Sequence, residues 1–153
     1  PIYPYNETMD TLSENKRAAH DYDVKERFHA GIVLNGQEVK SIKLGRAQLA
    51  GSFVVAQRGE LFWVGAVIPA YQPTNAPAGY REERQRKLLL QKHEISRIIG
   101  SYENQGLTFL PIRLYTVKGK IKLEFALAKK RKKGDKRQLI KKREAEREMR
   151  RNI

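Results

Sequence analysis

The sequence predicts a mainly β protein, an OB-like small barrel of the closed or partly open Greek-key kind, with two or three helices and a basic C-terminal tail. The clearest evidence is a hairpin pattern, in which residues 108–117 and 120–127 flank the favourable turn Lys118-Gly119. Apolar residues alternate along 120–127, so we expect one face to enter a core and the other to meet water or a ligand. A second hairpin and two helical patterns complete the prediction, and such barrels often bind oligonucleotides.

Turn residues and hydrophobic period predict the other elements. Residues 22–35 are expected to form a strand, because apolar residues share one parity before the turn signal Asn35-Gly36. The first 14 residues hold two prolines and no regular period, so we expect a flexible lead over 1–14. The remaining predicted elements are a short helix over 37–44 ended by Gly45, a hairpin over 52–57 and 61–67, a loop over 69–79, and a helix over 81–102.

Positive charge is concentrated at the C-terminal end. The whole chain has 31 Lys and Arg against 17 Asp and Glu, a formal net charge of +14, and residues 129–153 hold 13 of the former against 4 of the latter. Such a segment repels itself and needs an anionic partner, and nucleic acid is the leading candidate because phosphate contacts release counterions. We therefore expect an RNA-binding barrel over 15–128 and a tail over 129–153 that is disordered when free and helical on its partner.

The tail also carries a helix-start pattern. Asp135 is a good N-cap, and Gln138 follows three residues later, as in a capping box. The apolar stripe beyond it is too narrow to dock on the barrel, which is why helix formation is expected to depend on a partner. The alternative interpretation is a solvated charged tail that aids solubility.

Several classes of function lack support in the sequence. There is no cysteine, and the three histidines have no ligand spacing, so we expect no metal site and no cofactor. No phosphate-cradling Gly-rich loop, nucleophile relay or carboxylate cluster is present, so we do not expect an enzyme. No apolar run nears the roughly 20 residues that span a bilayer, and the start lacks a secretory pattern. We expect a cytoplasmic protein that does not bind membranes.

Five blocks of sequence together resemble one protein family. They are Asn15-Lys16-Arg17, His20-Asp21-Tyr22, AGIVLNGQEVKSIKLGRAQL at 30–49, Arg86-Lys87-Leu88-Leu89-Leu90, and the tail segment from Leu127-Ala128-Lys129 to Asp135-Lys136-Arg137. With this order and spacing, the chain resembles the bacterial small protein B family, the SsrA-binding proteins, from about Asn15 to Met149. The Gly-x-Glu-Val-Lys-Ser segment at 36–41 and the Arg-Lys-Leu-Leu-Leu run are specific in combination.

The resemblance implies an RNA-binding adaptor of trans-translation. Members of the family are OB-like barrels that bind the tRNA-like domain of transfer-messenger RNA and enter stalled ribosomes with elongation factor Tu and GTP. Their basic tail lies at the decoding centre of the small subunit and in the empty mRNA channel, where it becomes helical. An intact mRNA and the tail would compete for that channel, so the tail tests whether it is vacant. The expected outcome is ribosome rescue and peptide tagging by a monomeric protein.

Two sets of candidate binding residues follow from charge and from the family blocks. The RNA-binding set is Asn15, Lys16, Arg17, His20, Glu38, Lys40, Ser41, Lys43, Arg46, Arg84, Arg86, Lys87 and Lys92. The set for the decoding centre and mRNA channel is Lys129, Lys132, Asp135, Lys136, Arg137, Lys141, Lys142, Arg143, Arg147 and Met149. The plain alternative for each set is a solvated helix face or a helix cap. Trp63 and Tyr115 lie in predicted strands, where a core role is favoured over stacking on bases.

Three positions depart from the family pattern, and two rival functions also fit the charge. His29 stands where the family usually has glutamate, Gly51 where it has aspartate, and Lys130 where it has glycine. One rival is a ribosomal or RNA-chaperone barrel with a non-specific basic tail, and the other is a small nuclease. Capture of one structured RNA favours the adaptor, a broad RNA mixture favours the chaperone, and metal-dependent cleavage favours the nuclease.

Overall fold

Seven strands form one antiparallel sheet in the computed structural model, which describes residues 9–101 and 106–151. The strands are β1 (Met9–Glu14), β2 (Tyr22–Ile32), β3 (Phe53–Gln57), β4 (Glu60–Val64), β5 (Arg86–Leu89), β6 (Leu107–Val117) and β7 (Lys120–Lys130). The helices are α1 (Ala18–Asp21), α2 (Gly36–Lys43), α3 (Lys92–Ser101) and α4 (Lys133–Arg151). A single 3-10 turn, Pro73–Asn75, interrupts the loop predicted over 69–79.

The sheet closes on itself and forms a barrel. Its strand order is β1-β6-β3-β4-β5-β2-β7, and an additional pairing of β7 with β6, the second strand of this series, closes a ring of six strands. The join between β3 and β6 is narrow, since Val54 opposite Phe109 is the one pair in register there. Strand β1 lies outside the ring and pairs with β6. The predicted class, a mainly β, closed or partly open barrel with added helices, is confirmed.

Aromatic side chains fill the barrel interior. The rings of Phe28, Phe109 and Phe125 lie 5.4 to 6.2 Å apart between centroids, in tilted or edge-on arrangements that suit aromatic pairs. Trp63 is completely buried, and its indole N–H donates to the Ser52 hydroxyl at 2.9 Å. Tyr115 is also completely buried. The core role favoured for Trp63 and Tyr115 is therefore confirmed.

The outer face of the last strand is covered as well. Every residue of the segment 123–128 is buried, so the predicted alternation between a core face and a wet face is wrong there. The reason is α1, a four-residue helix whose Ala18 packs with Leu110 and Ala128 on the outside of the barrel. Small side chains on both surfaces let this short helix approach the sheet closely.

The predicted strands and the helix predicted over 37–44 are confirmed apart from their ends. The helix predicted over 81–102 is wrong in its first half. Residues 86–89 form β5, which pairs with β2 and β4, and α3 begins only at Lys92. Arg86 and Leu88 are both buried and two residues apart, the spacing of a strand. Tyr102, the last residue of the predicted helix, lies outside the described residues.

Regular structure is present in parts of the segments predicted as the lead and the tail. Residues 9–14 form β1, which contradicts a flexible lead over that stretch, while residues 1–8 lie outside the described part. In the tail, β7 continues to Lys130 and α4 covers 133–151, and the expectation that the tail is disordered when free and helical on its partner stays a prediction. This helix begins two residues before Asp135, since the Lys136 N–H already donates to the Lys132 carbonyl at 3.1 Å. The predicted N-cap at Asp135 is therefore wrong.

Candidate nucleic-acid interface

The segment that joins β1 to α1 presents two exposed cations from a fixed backbone. Asn15 donates through its N–H to the Ile112 carbonyl at 2.8 Å and through its amide to the Pro111 carbonyl at 3.1 Å. Lys16 and Arg17 follow it and are exposed. Asn15 thus anchors the segment to β6, and the two cations project from a rigid support.

A shallow groove brings this segment beside the end of α2. Lys16 lines the groove together with Gly45 and Ala47, which directly follow that helix. Gly45 has φ of +74°, a left-handed conformation that favours glycine at a helix C-terminus. Lys43 and Arg46 lie on either side of this glycine in the sequence and are exposed. The predicted RNA-binding cations that precede α1 therefore lie near those at the end of α2. We call Lys16, Arg17, Lys43 and Arg46 the α1–α2 cation surface.

Tyr71, in the loop after β4, holds two cations of the α2 region. The Lys40 ammonium lies 5.3 Å from the centre of the Tyr71 ring, within the range of a cation–π contact. The Arg46 guanidinium donates to the Tyr71 carbonyl at 3.1 Å. Lys40 and Arg46 are both still exposed, so these contacts orient them without removing them from solvent.

Glu38, Ser41 and Arg86 were predicted to contact RNA, and their burial contradicts that role. All three are completely buried. The Glu38 carboxylate accepts from Arg86 Nε at 2.6 Å and from the Arg84 guanidinium. The second edge of the Arg86 guanidinium donates to the Ala66 and Glu82 carbonyls at 2.9 Å each. Glu38 and Arg86 join α2 to β5 inside the protein, and the buried Ser41 hydroxyl has no hydrogen-bond partner among the described residues, so none of the three can touch a ligand directly.

Glu38 also closes a capping box at the start of α2. Its backbone N–H donates to the Asn35 side chain at 2.9 Å, and the Asn35 N–H donates to the Glu38 carboxylate at 2.9 Å. Burial alone would raise the pKa of Glu38, but the hydrogen bonds from Arg84, the Asn35 N–H and Arg86 outweigh it and hold the pKa below its usual range. The carboxylate is therefore ionised at neutral pH.

Lys87 and Lys92 lie apart from the α1–α2 cation surface. Lys87 Nζ contacts the Glu60 carboxylate at 2.9 Å, in a half-exposed cross-strand pair. Lys92 opens α3 and is exposed. Neither side chain lines the groove beside Gly45. The RNA-binding cations predicted at residues 84–92 are therefore divided between the buried Arg86, with the partly exposed Arg84 beside it, and two separate surface lysines.

A polar cluster that the sequence did not reveal lies where β2, β6 and β7 are neighbours. Glu124 is mostly buried and contacts Arg27 at 3.1 Å, Arg113 at 3.5 Å and His29 at 3.6 Å. The other ring nitrogen of His29 lies 2.7 Å from the Tyr115 hydroxyl. Burial, the largest influence, lowers the pKa of His29. Because these residues come from three distant segments, strand register alone assembles them, and no local pattern could have shown it.

The tail helix touches the barrel at its first turn. Lys136 Nζ lies 3.2 Å from the Asp21 carboxylate of α1, and the same oxygen lies 2.8 Å from His20 Nδ1. Hydrogen bonds from His20 and Lys136 lower the pKa of Asp21. Of the predicted tail residues whose side chains the structure describes, all except Lys136 are exposed, namely Lys129, Lys132, Arg137, Lys141, Lys142, Arg143, Arg147 and Met149.

The described residues contain no group of three or more potential metal ligands. None of the described helices has the length and apolar character needed to cross a membrane. The fold and surface instead define a small basic β-barrel with a protruding cationic helix, an architecture suited to binding polyanions.

Comparison with known proteins identifies the family. A family model described as SmpB protein matches residues 12–153, so the chain belongs to the SmpB family. An "SsrA-binding protein" of Syntrophobacter fumaroxidans is 48% identical over 139 residues, which cover 90% of this chain and 85% of the relative. An "SsrA-binding protein" of Coprothermobacter proteolyticus is 45% identical over 144 residues, covering 94% of this chain and 96% of the relative.

A solved structure supports the same relationship. It comes from work called "tmRNA-SmpB: a journey to the center of the bacterial ribosome" and superposes with a TM-score of 0.66 at 40% sequence identity. The match covers 78% of this chain and 84% of that chain.

Replacing Glu38 with Gln should destabilise the fold, because it leaves the completely buried guanidinium of Arg86, and that of the partly exposed Arg84, without their carboxylate. We expect the free energy of unfolding at pH 7 to fall by about 3–5 kcal/mol, measured by urea denaturation. Glu60→Gln is the matched control, since it removes a carboxylate from a half-exposed pair with Lys87, and it should cost less than about 1 kcal/mol.

The same pair of variants gives a pH test. Because folding lowers the pKa of Glu38, its contribution is complete above the unfolded value of 4.5 and is lost as pH falls toward the folded value. The stability difference between the wild-type chain and Glu38→Gln should therefore shrink below that pH. A difference that stayed constant from neutral pH into the acid range would contradict the assigned role of Glu38.

Proposed function

We propose that this chain is an RNA-binding adaptor of trans-translation, which binds the tRNA-like domain of transfer-messenger RNA and brings that RNA to stalled ribosomes. The observation that carries the proposal is the α1–α2 cation surface, presented by a rigid barrel in a chain whose relatives are named SsrA-binding proteins. Exposed cations held by a fixed backbone suit contact with the phosphates of a folded RNA. The shape of that RNA then sets its position on the protein. The role requires binding and no catalysis.

The structure of α4 supports a separate ribosomal role for the tail. Beyond its first turn, the helix presents cations to solvent, and no wide apolar face binds it to the barrel. A helix of 19 residues extends about 28 Å, long enough to reach well beyond the barrel. In this proposal the helix lies at the decoding centre and in the empty mRNA channel, where an intact mRNA would exclude it.

The remaining parts of the proposal concern partners and place of action. The related structure concerns a tmRNA–SmpB complex on the bacterial ribosome, and we extend both partners to this chain. We further propose that elongation factor Tu with GTP joins through the RNA, that the protein acts as a monomer, and that it acts in the cytoplasm. In this proposal the barrel selects the RNA, and α4 detects whether the mRNA channel is empty.

Neutralising the α1–α2 cation surface should weaken binding to the tRNA-like domain. The double variant Lys16→Gln, Lys43→Gln removes two exposed cations, so the slope of log affinity against log salt should fall by about 2. The matched control is Lys118→Gln, Lys120→Gln, which removes two exposed cations from the β6–β7 turn. Filter binding across a salt series would measure both. Equal losses in the two double variants would refute a specific surface and favour a general electrostatic binder.

Charge reversal on α4 should impair ribosomal function more than RNA affinity. In Arg137→Glu, Arg143→Glu, both changes lie on exposed parts of the helix. We expect peptide tagging on stalled ribosomes to fall about tenfold or more, since several rRNA phosphates would be repelled, while affinity for the isolated tRNA-like domain changes little. The control is the same measurement on Arg58→Glu, an exposed turn residue of the barrel. Losses of the same size in both assays would contradict the division of labour.

A further inference from the structure

A second concave surface lies between the barrel and α4, separate from the α1–α2 cation surface. One wall consists of residues at the start of β2 and the end of β7, the floor is the linker to α4, and the other wall is the second and third turns of that helix. Its lining residues are Asp23, Lys25, Lys129, Lys130, Arg131, Lys132, Gln138, Leu139 and Lys142. We call this surface the strand-end groove.

The strand-end groove is strongly cationic. Six of its nine lining residues are Lys or Arg, and Asp23 is the one carboxylate among them. Asp23 accepts from Lys25 Nζ at 2.7 Å, and Lys25, Arg131 and Lys129 together lower its pKa, so this one carboxylate is compensated by several cations of the groove. A concave surface lined by one sign of charge concentrates the field and raises the local concentration of oppositely charged ligands. The groove therefore favours a polyanion over a neutral ligand.

Arg131, on the floor of the groove, points to a specific ligand atom. Its backbone N–H donates to the Asp21 carbonyl at 2.8 Å, which fixes the position of the residue. Its side-chain Nε is buried and has no acceptor among the described residues. A buried donor without an acceptor is costly, and more so when it is charged. Because Nε itself is shielded from solvent, a phosphate oxygen reaches it only if the half-buried Arg131 side chain turns toward the groove, where the guanidinium then binds phosphate in the geometry that it favours.

The first turn of α4 has the same requirement. Lys132 and Lys133 stand at the start of the helix, where the macrodipole disfavours cations. An anion bound there would interact favourably with the free N–H groups and offset the clustered positive charge. The Lys136–Asp21 ion pair holds this turn against the barrel, so it keeps the two walls of the groove together.

We propose that the strand-end groove binds the phosphodiester backbone of a single RNA strand, with Arg131 as the central phosphate ligand. Lys25 and Lys130 contact neighbouring phosphates from the barrel, and Lys142 does so from α4. An acidic protein segment fits less well, because protein interfaces need an apolar or aromatic centre and Leu139 is the sole large apolar side chain lining the groove. The inference rests on the proposed RNA-binding function and adds a composite site that needs barrel and helix together.

The test uses the full chain and a fluorescein-labelled oligoribonucleotide of ten uridines, with affinity measured by anisotropy over a salt series. The double variant Lys25→Gln, Lys130→Gln and the single variant Arg131→Gln should each weaken binding about tenfold. The double variant should also lower the slope of log affinity against log salt by about 2. The control is again Lys118→Gln, Lys120→Gln, at the other end of β7 and about 33 Å from Lys130 by strand rise. It should weaken binding less than about threefold. Thermal melts confirm that each variant is folded.

A variant at Asp21 separates the groove from general electrostatics by the sign of its effect. Asp21→Asn removes a negative charge, so general attraction alone predicts tighter RNA binding. Because the change also removes the ion pair that positions α4, the composite groove predicts binding weaker by about threefold. Tighter or unchanged binding would overturn the proposal, as would equal losses in the groove and control variants.

A poly-glutamate peptide of ten residues serves as the competing ligand. Weak binding that is indifferent to Arg131→Gln supports an RNA site, whereas binding as tight as that of the oligonucleotide and equally sensitive to Arg131→Gln would overturn it. Failure of the proposed adaptor function is a different result. That function fails if the wild-type chain does not prefer the tRNA-like domain to an unrelated folded RNA, whatever the groove variants do.

Discussion

The fully buried carboxylate of Glu38 accepts hydrogen bonds from two arginines that lie 46 and 48 residues further along the chain. Neither this acid nor Arg86 has any exposed surface, so each depends on the other for compensation of its charge. These hydrogen bonds fix the start of α2 against β5 and against the segment that precedes β5. Lys40 and Lys43, on the exposed side of the same helix, are consequently held in place by an interaction that no ligand touches.

Helix α1 has a comparable role on the outer face of the barrel. Its Ala18 covers the outer face of the sheet, and its Asp21 contacts both the linker and the first turn of α4. The exposed cations Lys16 and Arg17 immediately precede this helix. A four-residue element thus joins the predicted RNA-binding segment, the barrel and the tail. An RNA that contacts this segment is therefore close to the residues that orient α4.

The sequence was sufficient to predict elements with strong local signals. Both hairpins and α2 were predicted correctly apart from their ends, because the glycine turns, the Asn35-Gly36 turn signal and the helix-ending Gly45 are encoded within a few residues. The segment 81–91 was predicted as helix because its cations suggest a solvent-exposed helix face. Arg86 is instead buried, where it pairs with a carboxylate that is distant in sequence. Strand β1 was missed because β6 stabilises it by pairing, and its own residues show no clear alternation.

The site was predictable only in part, for similar reasons. Family blocks and charge located Lys16, Lys43 and the predicted cations of α4, all of which are exposed except Lys136. They also selected Glu38, Ser41 and Arg86, which are buried. A sequence motif does not distinguish a residue that supports the surface from inside the protein from one that contacts the ligand. The Glu124 cluster and the strand-end groove depend on strand register and on the path of the tail, which no window of sequence contains.

Amide hydrogen exchange of the full chain, free and bound to the tRNA-like domain, would test most directly whether the barrel recognises RNA through the surface beside α1 and α2. The account predicts new protection at residues 16–21 and 43–47 in the complex, with the amides around Glu38 and Arg86 equally protected in both states. Protection confined to α4, with none beside the two short helices, would contradict it.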